Sequence, residues 1–297
     1  MTTISVAYQG EPGSYSEEAA SQFFTKRSLT TNFYPCNSFK QMFAALHKGL
    51  VQRAFVPIEN LLAGTIHQNL DLLLRYSNLK IVGELDFRIN HCLVASDGVK
   101  HSDVKVVRSH FMALNQCTHY LQEYNLTSEV AYDTAGSAKA ISEQNSMDSA
   151  AIASRRAADM YNLNVLAEGI GNDNDNYTRF LVLSKHDSVY VPSTPSKTSI
   201  VFSLENGPGV LHKALSVFAV TDIDLTKIES RHIYSMRDAL QHNCEQFKDA
   251  SVERRWEYVF FVDIKGHAQE TSVAKALAHL QEITPFFRVL GSYASEV

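Results

Sequence analysis

From residue 4 to about residue 184, short apolar runs alternate with stretches whose apolar positions recur every three to four residues. The first pattern predicts buried strands and the second amphipathic helices. Strands are expected over 4–8, 32–35, 54–58, 79–82, 91–95, 105–107, 128–131, 150–153 and 180–184. Helices are expected over 14–26, 38–48, 65–75, 111–124, 135–143 and 155–161. A Gly-Glu-Pro-Gly turn opens the first helix, and Ser38 is placed to cap the second. Such alternation predicts an α/β architecture with largely parallel sheets. The pattern stops at 185–196, where Ser188, Pro192, Ser193, Thr194, Pro195 and Ser196 make a polar, proline-containing stretch that reads as a linker. Beyond it, strands over 198–204, 224–230, 258–265 and 287–291 and helices over 208–220 and 272–281 follow in the ferredoxin-like order βαββαβ. The polar stretch 233–254 reads as an insertion between the second and third of these strands.

Length favours two domains, and a content of 45% hydrophobic and 20% charged residues is that of a globular protein. The formal charge of -5 argues against nucleic-acid binding, which needs a basic surface. No run approaches the ~18 apolar residues of a membrane helix. Cys36, Cys92, Cys117 and Cys244 match no CxxC metal or redox spacing and read as free thiols of a reducing compartment. The N-terminus has neither a basic region nor a separate apolar core, so the expected location is the cytoplasm.

Ligands of open α/β sheets bind where strands hand over to helix N-termini. The junctions here are Gly10–Ser16, Pro57–Thr65, Ser109-His110, Thr134-Ala135-Gly136 and Ser154. Any one of them could be an ordinary helix cap. Together they describe a cleft of neutral donors suited to a small, multiply anionic ligand. The segment Gly169–Tyr177 reads as a polar surface loop without the ligand spacing of an EF-hand, and it leads into Thr178-Arg179-Phe180. An arginine immediately before a buried strand calls for a carboxylate partner, on the ligand or on the protein. No HExxH, GxSxG, P-loop or GxGxxG motif is present. The scattered histidines, His67, His91, His110 and His119 among them, read as hydrogen-bonded structural residues.

In sequence order, Val6–Glu17, Val56-Pro57-Ile58-Glu59-Asn60, Gly64-Thr65-Ile66, Asp133-Thr134-Ala135-Gly136, Ala151-Ile152-Ala153-Ser154 and Asn176–Leu183 resemble the motifs of the prephenate dehydratase family. Asn206–Leu211 and Lys227–Arg231 resemble the two effector motifs of an ACT domain. The stretches 66–75 and 89–93 are most similar to the plant arogenate branch. The resemblance implies a two-lobed, periplasmic-binding-protein-like catalytic domain over 1–186, with lobes 1–85 plus 165–186 and 86–164. A linker over 187–196 and an ACT regulatory domain over 197–297 follow. It implies conversion of prephenate to phenylpyruvate, or arogenate to phenylalanine, without metal or organic cofactor. Phenylalanine would be the effector and the protein a homodimer or homotetramer. By the same resemblance Thr178 and Arg179 are the catalytic residues, and Ser14, Asn60, Thr65, Ser109, Thr134 and Phe180 contact substrate. Asn206, Gly209, Val210, Leu211, Glu229, Ser230 and Arg231 would bind the effector. The chain departs from the family pattern at Leu61, at Phe111-Met112 and at His232. The first two bear on activity and the third on phenylalanine control; a phenylalanine sensor without catalysis is the rival reading.

Overall fold

The structure is a computed structural model and describes residues 3–233, 236 and 257–295. Cys244 and the expected insertion, apart from Ile233 and Met236, lie outside the described residues. The chain divides into two compact units. One comprises Met1–Ile66 and Leu85–Phe180, the other His67–Glu84 and Leu181–Val297.

The first unit opens with β1 (Thr3–Gln9), α1 (Tyr15–Thr25), β2 (Thr30–Cys36), α2 (Phe39–Lys48), β3 (Arg53–Asn60) and β4 (Gly64–Thr65). After α3 (His67–Arg75) come β5 (Lys80–Arg88), β6 (Cys92–Ala95), β7 (Val106–His110), α4 (Phe111–Asn115), α5 (Thr118–Glu123) and β8 (Thr127–Ala131). Then follow α6 (Thr134–Gln144), β9 (Ser149–Ala153), α7 (Arg155–Met160), β10 (Asn164–Glu168) and β11 (Tyr177–Ser184). The first sheet has the order β2-β1-β3-β11-β5, with β4 on β3; the second has the order β10-β6-β9-β7-β8.

Parallel pairs join β1 to β2 and β3, and β7 to β8 and β9. Antiparallel pairs join β6 to β9 and β10, and β3 to β4. The sheets are therefore mixed rather than largely parallel. β10 is absent from the sequence reading; it is an edge strand with a bulge between Val165 and Ala167, where alternation is lost.

Local signals explain several elements. The Ser38 hydroxyl accepts from Gln41 N at 3.2 Å and Gly49 closes α2 at φ 76. Such a cap is worth ~1 kcal/mol. Ala54, Phe55, Val56 and Ile58 are all buried, as a strand covered on both faces requires. The helix expected over 111–124 is in fact two. Between them Asn172 N donates to Gln116 O at 2.7 Å, and its side chain donates to Asn115 O and accepts from His119 N. One amide from the Gly169–Tyr177 segment thus satisfies both helix ends, and the segment is tied down rather than solvated.

In the second unit, β12 (Ser196–Ser203), α8 (Val210–Ala219), β13 (Leu225–His232), β14 (Tyr258–Lys265), α9 (Thr271–Glu282) and β15 (Phe286–Ala294) form an antiparallel sheet ordered β13-β14-β12-β15. Ile200, Phe202, Phe218, Val262, Ile264 and Leu280 are among its core residues. This unit also holds α3 and the start of β5. Arg288 donates to the Leu73 and Leu74 carbonyls at the C-terminal end of α3, at 2.7 and 3.1 Å. Arg231 grips both Asp71 oxygens at 3.1 and 3.2 Å. Lys197 and Glu84, both buried, pair at 2.6 Å. A Cβ on Gly291 would lie 2.1 Å from Ile81 O, so only glycine admits this backbone approach. The segment expected as a linker is packed within this unit: Tyr190 stacks on His267 at 4.3 Å, and Ser188 bonds to Ser292 O.

Candidate active site

A cavity of about 520 Å³ in the first unit is lined by the turns after β1, β3 and β8 and by α4. Gly10 turns the chain at φ +118, where an L side chain is strained, and its Cβ would stand 3.1 Å from Ser14 Oγ. Asp133, which caps α6 through Gly136 N, also accepts from Glu11 N at 2.9 Å. Gly13 N donates to Glu17 at 2.7 Å, and Ser154 and Tyr161 donate to the carbonyls of Gly13 and Pro12. Glu17 is in turn paired with Arg156. The loop Gly10–Gly13 is therefore rigidly placed. It sets Ser14 at the start of α1 with a buried hydroxyl that has no partner among the described residues. A buried polar atom left unpaired costs free energy until a ligand satisfies it.

Opposite functional demands meet at Asn60. Its Oδ1 accepts from the backbone N–H groups of Leu62 and Ala63 at 3.1 and 2.9 Å, which fixes the amide's orientation. Its Nδ2 must then donate to Thr178 Oγ1 at 2.9 Å and to Asn176 Oδ1 at 2.8 Å. Thr178 is buried, and with one lone pair occupied its proton is free to point into the cavity. Gln116 Nε2 donates to Asn60 Oδ1 at 3.3 Å, and Asn176 Nδ2 donates to Gln116 Oε1 at 3.1 Å. Phe180 lines the cavity and stacks on Phe55 with centroids 4.9 Å apart.

Ser14, Asn60, Thr65, Thr134, Thr178 and Phe180 all line the cavity; Ser109 and Arg179 do not. Ser109 is fully buried and donates to Ile152 O at 2.6 Å. Arg179 is the next residue after Thr178 on a strand, so it takes the opposite face. It bonds Asp86 at 3.1 Å, with Glu59 3.9 Å away. Among the described residues, no lysine or arginine lines the cavity. Leu61 and Phe111 are 67% and 53% exposed and line none of it, whereas Met112 does. The sequence does not mark Gln116, His91, Tyr15 or Asn176 as contacts of the site, yet the first three line the cavity and Asn176 bonds Asn60 and Gln116 behind it, completing its polar bed. Burial lowers the His91 pKa, opposed by its bond to Gln116. Burial raises Tyr15 well above the usual phenol range. A concavity of about 530 Å³ beside α7 has a different character, lined by Glu18, Arg155, Arg156 and Asp159, and its arginines are already paired with Glu168 and Glu17.

In the second unit Val210 lines a concavity of about 440 Å³, together with Glu205, Lys213 and Thr284. Gly209 precedes α8 at φ 73, with Asn206 in the turn before it and Leu211 in the first turn of the helix. Glu229, Ser230 and Arg231 lie on β13, where Glu229 meets His67 at 3.0 Å and Arg231 meets Asp71. His232 lies against Tyr258.

The prephenate dehydratase family model matches residues 6–188, which contain every side chain of the cavity. The chain belongs to the prephenate dehydratase family. "Arogenate dehydratase 2" of Petunia hybrida is 46% identical over 296 residues, covering 99% of this chain and 72% of the relative. "Arogenate dehydratase/prephenate dehydratase 2, chloroplastic" of Arabidopsis thaliana is 44% identical, over 98% of this chain and 72% of the relative. Among solved structures, an Arthrobacter aurescens prephenate dehydratase in complex with L-Phe is similar at TM-score 0.84. It is 32% identical and is matched over 98% of this chain and 90% of that one. A protein described as a novel type of quorum-quenching acylase is similar at TM-score 0.81 and 31% identity, over 98% of both chains. The prephenate dehydratase relatives named as chloroplastic overturn the expectation of a cytoplasmic location.

Proposed function

We propose that the chain performs a decarboxylating dehydration, with arogenate as preferred substrate and prephenate as the alternative, in a plastid. The preference rests on the relative at 46% identity, which is named for arogenate. The ring carbon–carboxylate bond breaks and carbon dioxide leaves. Its electron pair enters the ring as a double bond, and the carbon–oxygen bond at the opposite ring position breaks. The leaving hydroxide becomes water with a proton, and aromaticity supplies the driving force.

The observation that carries this reading is the Asn60-to-Thr178 bond, which occupies a lone pair of the Thr178 hydroxyl and leaves its proton free to donate into the cavity. There it bonds the departing oxygen, a contact that strengthens as charge develops. Ser14 and the N–H groups opening α1 hold the side-chain carboxylate. A lining without lysine or arginine leaves the ring carboxylate weakly held, as its loss requires. Arg179 then acts by fixing the strand to Asp86 rather than by touching substrate. The rival reading, a sensor without catalysis, is weakened because Leu61 and Phe111 stay off the cavity, and of its three departures only Met112 lines it.

The residues 1–186 form the two-lobed catalytic domain of this reading, and 197–297 an ACT domain whose βαββαβ order and effector motifs suit phenylalanine. Paired copies of that domain would bind it, so the protein works as a homodimer or homotetramer. The test is turnover of arogenate and prephenate by purified protein, with and without phenylalanine. Phenylalanine or phenylpyruvate must appear, and added phenylalanine must change the rate. A folded protein inert towards both substrates overturns the reading.

A further inference from the structure

The hydrogen bonds of Asn60 and Thr178 continue through Gln116 to His91 and Tyr15, which also line the cavity. His91 Nε2 is 2.9 Å from Gln116 Oε1, and His91 Nδ1 is 2.9 Å from the Tyr15 hydroxyl. Tyr15 also reaches Asn90 O at 3.0 Å. Each donor and acceptor can be assigned from the fixed ends. Leu62 N and Ala63 N orient Asn60, so Gln116 must turn its NH₂ towards Asn60 Oδ1. Gln116 Oε1 is then an acceptor only, already taking Asn176 Nδ2. The ring nitrogen facing it has to carry a proton. Nδ1 is left as the acceptor, and the Tyr15 hydroxyl shares its proton between Nδ1 and Asn90 O.

His91 is 3% exposed, with its remaining surface at the cavity. The backbone on both sides of it is held: Ile170 N donates to His91 O at 3.2 Å, and Ile89 N donates to Asn176 O at 2.8 Å. Without the Nε2 proton, Gln116 loses one of its two donors at Oε1 and is free to rotate. A rotated Gln116 would present oxygen to Asn60 Oδ1 and withdraw the acceptor that Asn176 needs. Asn176 and Asn60 would then compete for Thr178, whose hydroxyl would lose the donor that leaves its proton free for the cavity.

We infer that His91 is a positioning residue for the reaction, which through Gln116 and Asn176 fixes the direction in which Thr178 donates. The inference rests on the reading of Thr178 as donor to the leaving oxygen. Its signature follows from that role. A bond made only as the oxygen departs affects kcat and spares KM.

The experiment compares His91→Leu, His91→Gln and Thr178→Val in the full chain, with arogenate and prephenate as substrates and thermal unfolding as a fold check. Removing such a supporting partner typically costs about 10–100-fold. His91→Leu is expected to lower kcat by roughly that factor with KM changed less than about threefold. His91→Gln, whose amide can donate to Gln116, is expected to recover most of it. If Thr178→Val is inactive while His91→Leu turns over like the parent, the inference alone fails. Equal losses in the Leu and Gln variants also overturn it, because they mark His91 as a packing residue. A parent-like Thr178→Val overturns the donor reading and the inference with it. Should His91→Leu not fold, Tyr15→Phe decides, since it removes the outer anchor and keeps the ring. A fall in kcat at constant KM supports the inference, and an unchanged kcat sinks it.

Discussion

The polar network at the cavity of the first unit and the contacts that tie α3 and β5 into the second are built from different materials. At the cavity, Asn60, Gln116, Asn176, Thr178, His91 and Tyr15 form a chain of amides, hydroxyls and one imidazole. In the second, Lys197–Glu84, Arg231–Asp71 and His67–Glu229 join side chains that carry or can carry charge. Neutral dipoles cost less to bury and hold their direction through geometry. Ions cost more to bury, and only close pairing offsets it. A cavity that must receive a substrate with two carboxylates, and release one as carbon dioxide, is better served by dipoles. A buried cation would hold the departing group back. Joining α3 and the start of β5 to a sheet has no such requirement, and ion pairs suffice.

The largest expected effect breaks the ionic side. Glu84→Gln leaves Lys197 buried with its charge uncompensated, and chemical denaturation should show a loss of roughly 3–5 kcal/mol. An unchanged stability would mean that the pair is not what holds these segments. Next, Asn60→Asp keeps the shape of the side chain but replaces the donor facing Thr178 with an anionic oxygen. A fall in kcat of about 10²–10³ is expected, the usual cost of losing one oriented donor to a developing charge. Turnover close to the parent would show that neutrality of the bed is not required.

A smaller effect concerns acid. Burial lowers the His91 pKa below 6.5, so the unfolded chain binds its proton more readily than the folded one. The stability this provides is present above pH 6.5 and is lost as pH falls below it. His91→Gln should therefore show a shallower fall in stability on acidification; an identical slope would assign the acid sensitivity elsewhere. The smallest effect belongs to Arg179→Met. Its bond to the half-exposed Asp86 should be worth about 1 kcal/mol or less. With Arg179 off the cavity, kcat should stay within about threefold. A large loss in kcat would bring that guanidinium back into the chemistry.

What the sequence revealed was what depends on near neighbours. Ser38 announces its helix because its partner is Gln41, three residues away. Thr178 and Arg179 were expected to act together ahead of a strand beginning at 180, and only the strand's actual start at Tyr177 sets them on opposite faces. Gln116 and Asn176 could not be found this way. They sit 60 residues apart, and only folding makes them partners. The break between α4 and α5 was hidden for the same reason, since the 111–124 pattern is helical throughout and the interruption is paid in hydrogen bonds from Asn172. Ser109 shows the reverse error. A serine at a strand end resembles a ligand donor, yet its hydroxyl is spent on Ile152 O.

Cys92 follows His91 in the chain and Cys117 follows Gln116, so two thiols are adjacent in sequence to the proposed positioning bonds. Both are completely buried, and burial pushes each up to about 12. A thiol so protonated is a poor nucleophile towards alkylating and disulfide reagents. The protein thus carries native chemical clocks beside its reaction centre. In a Cys36→Ala, Cys244→Ser background, the rate at which Cys92 and Cys117 are labelled would time the opening of this region. Labelling that slows when substrate is added would show the bed tightening around its cargo, without any foreign probe in the molecule.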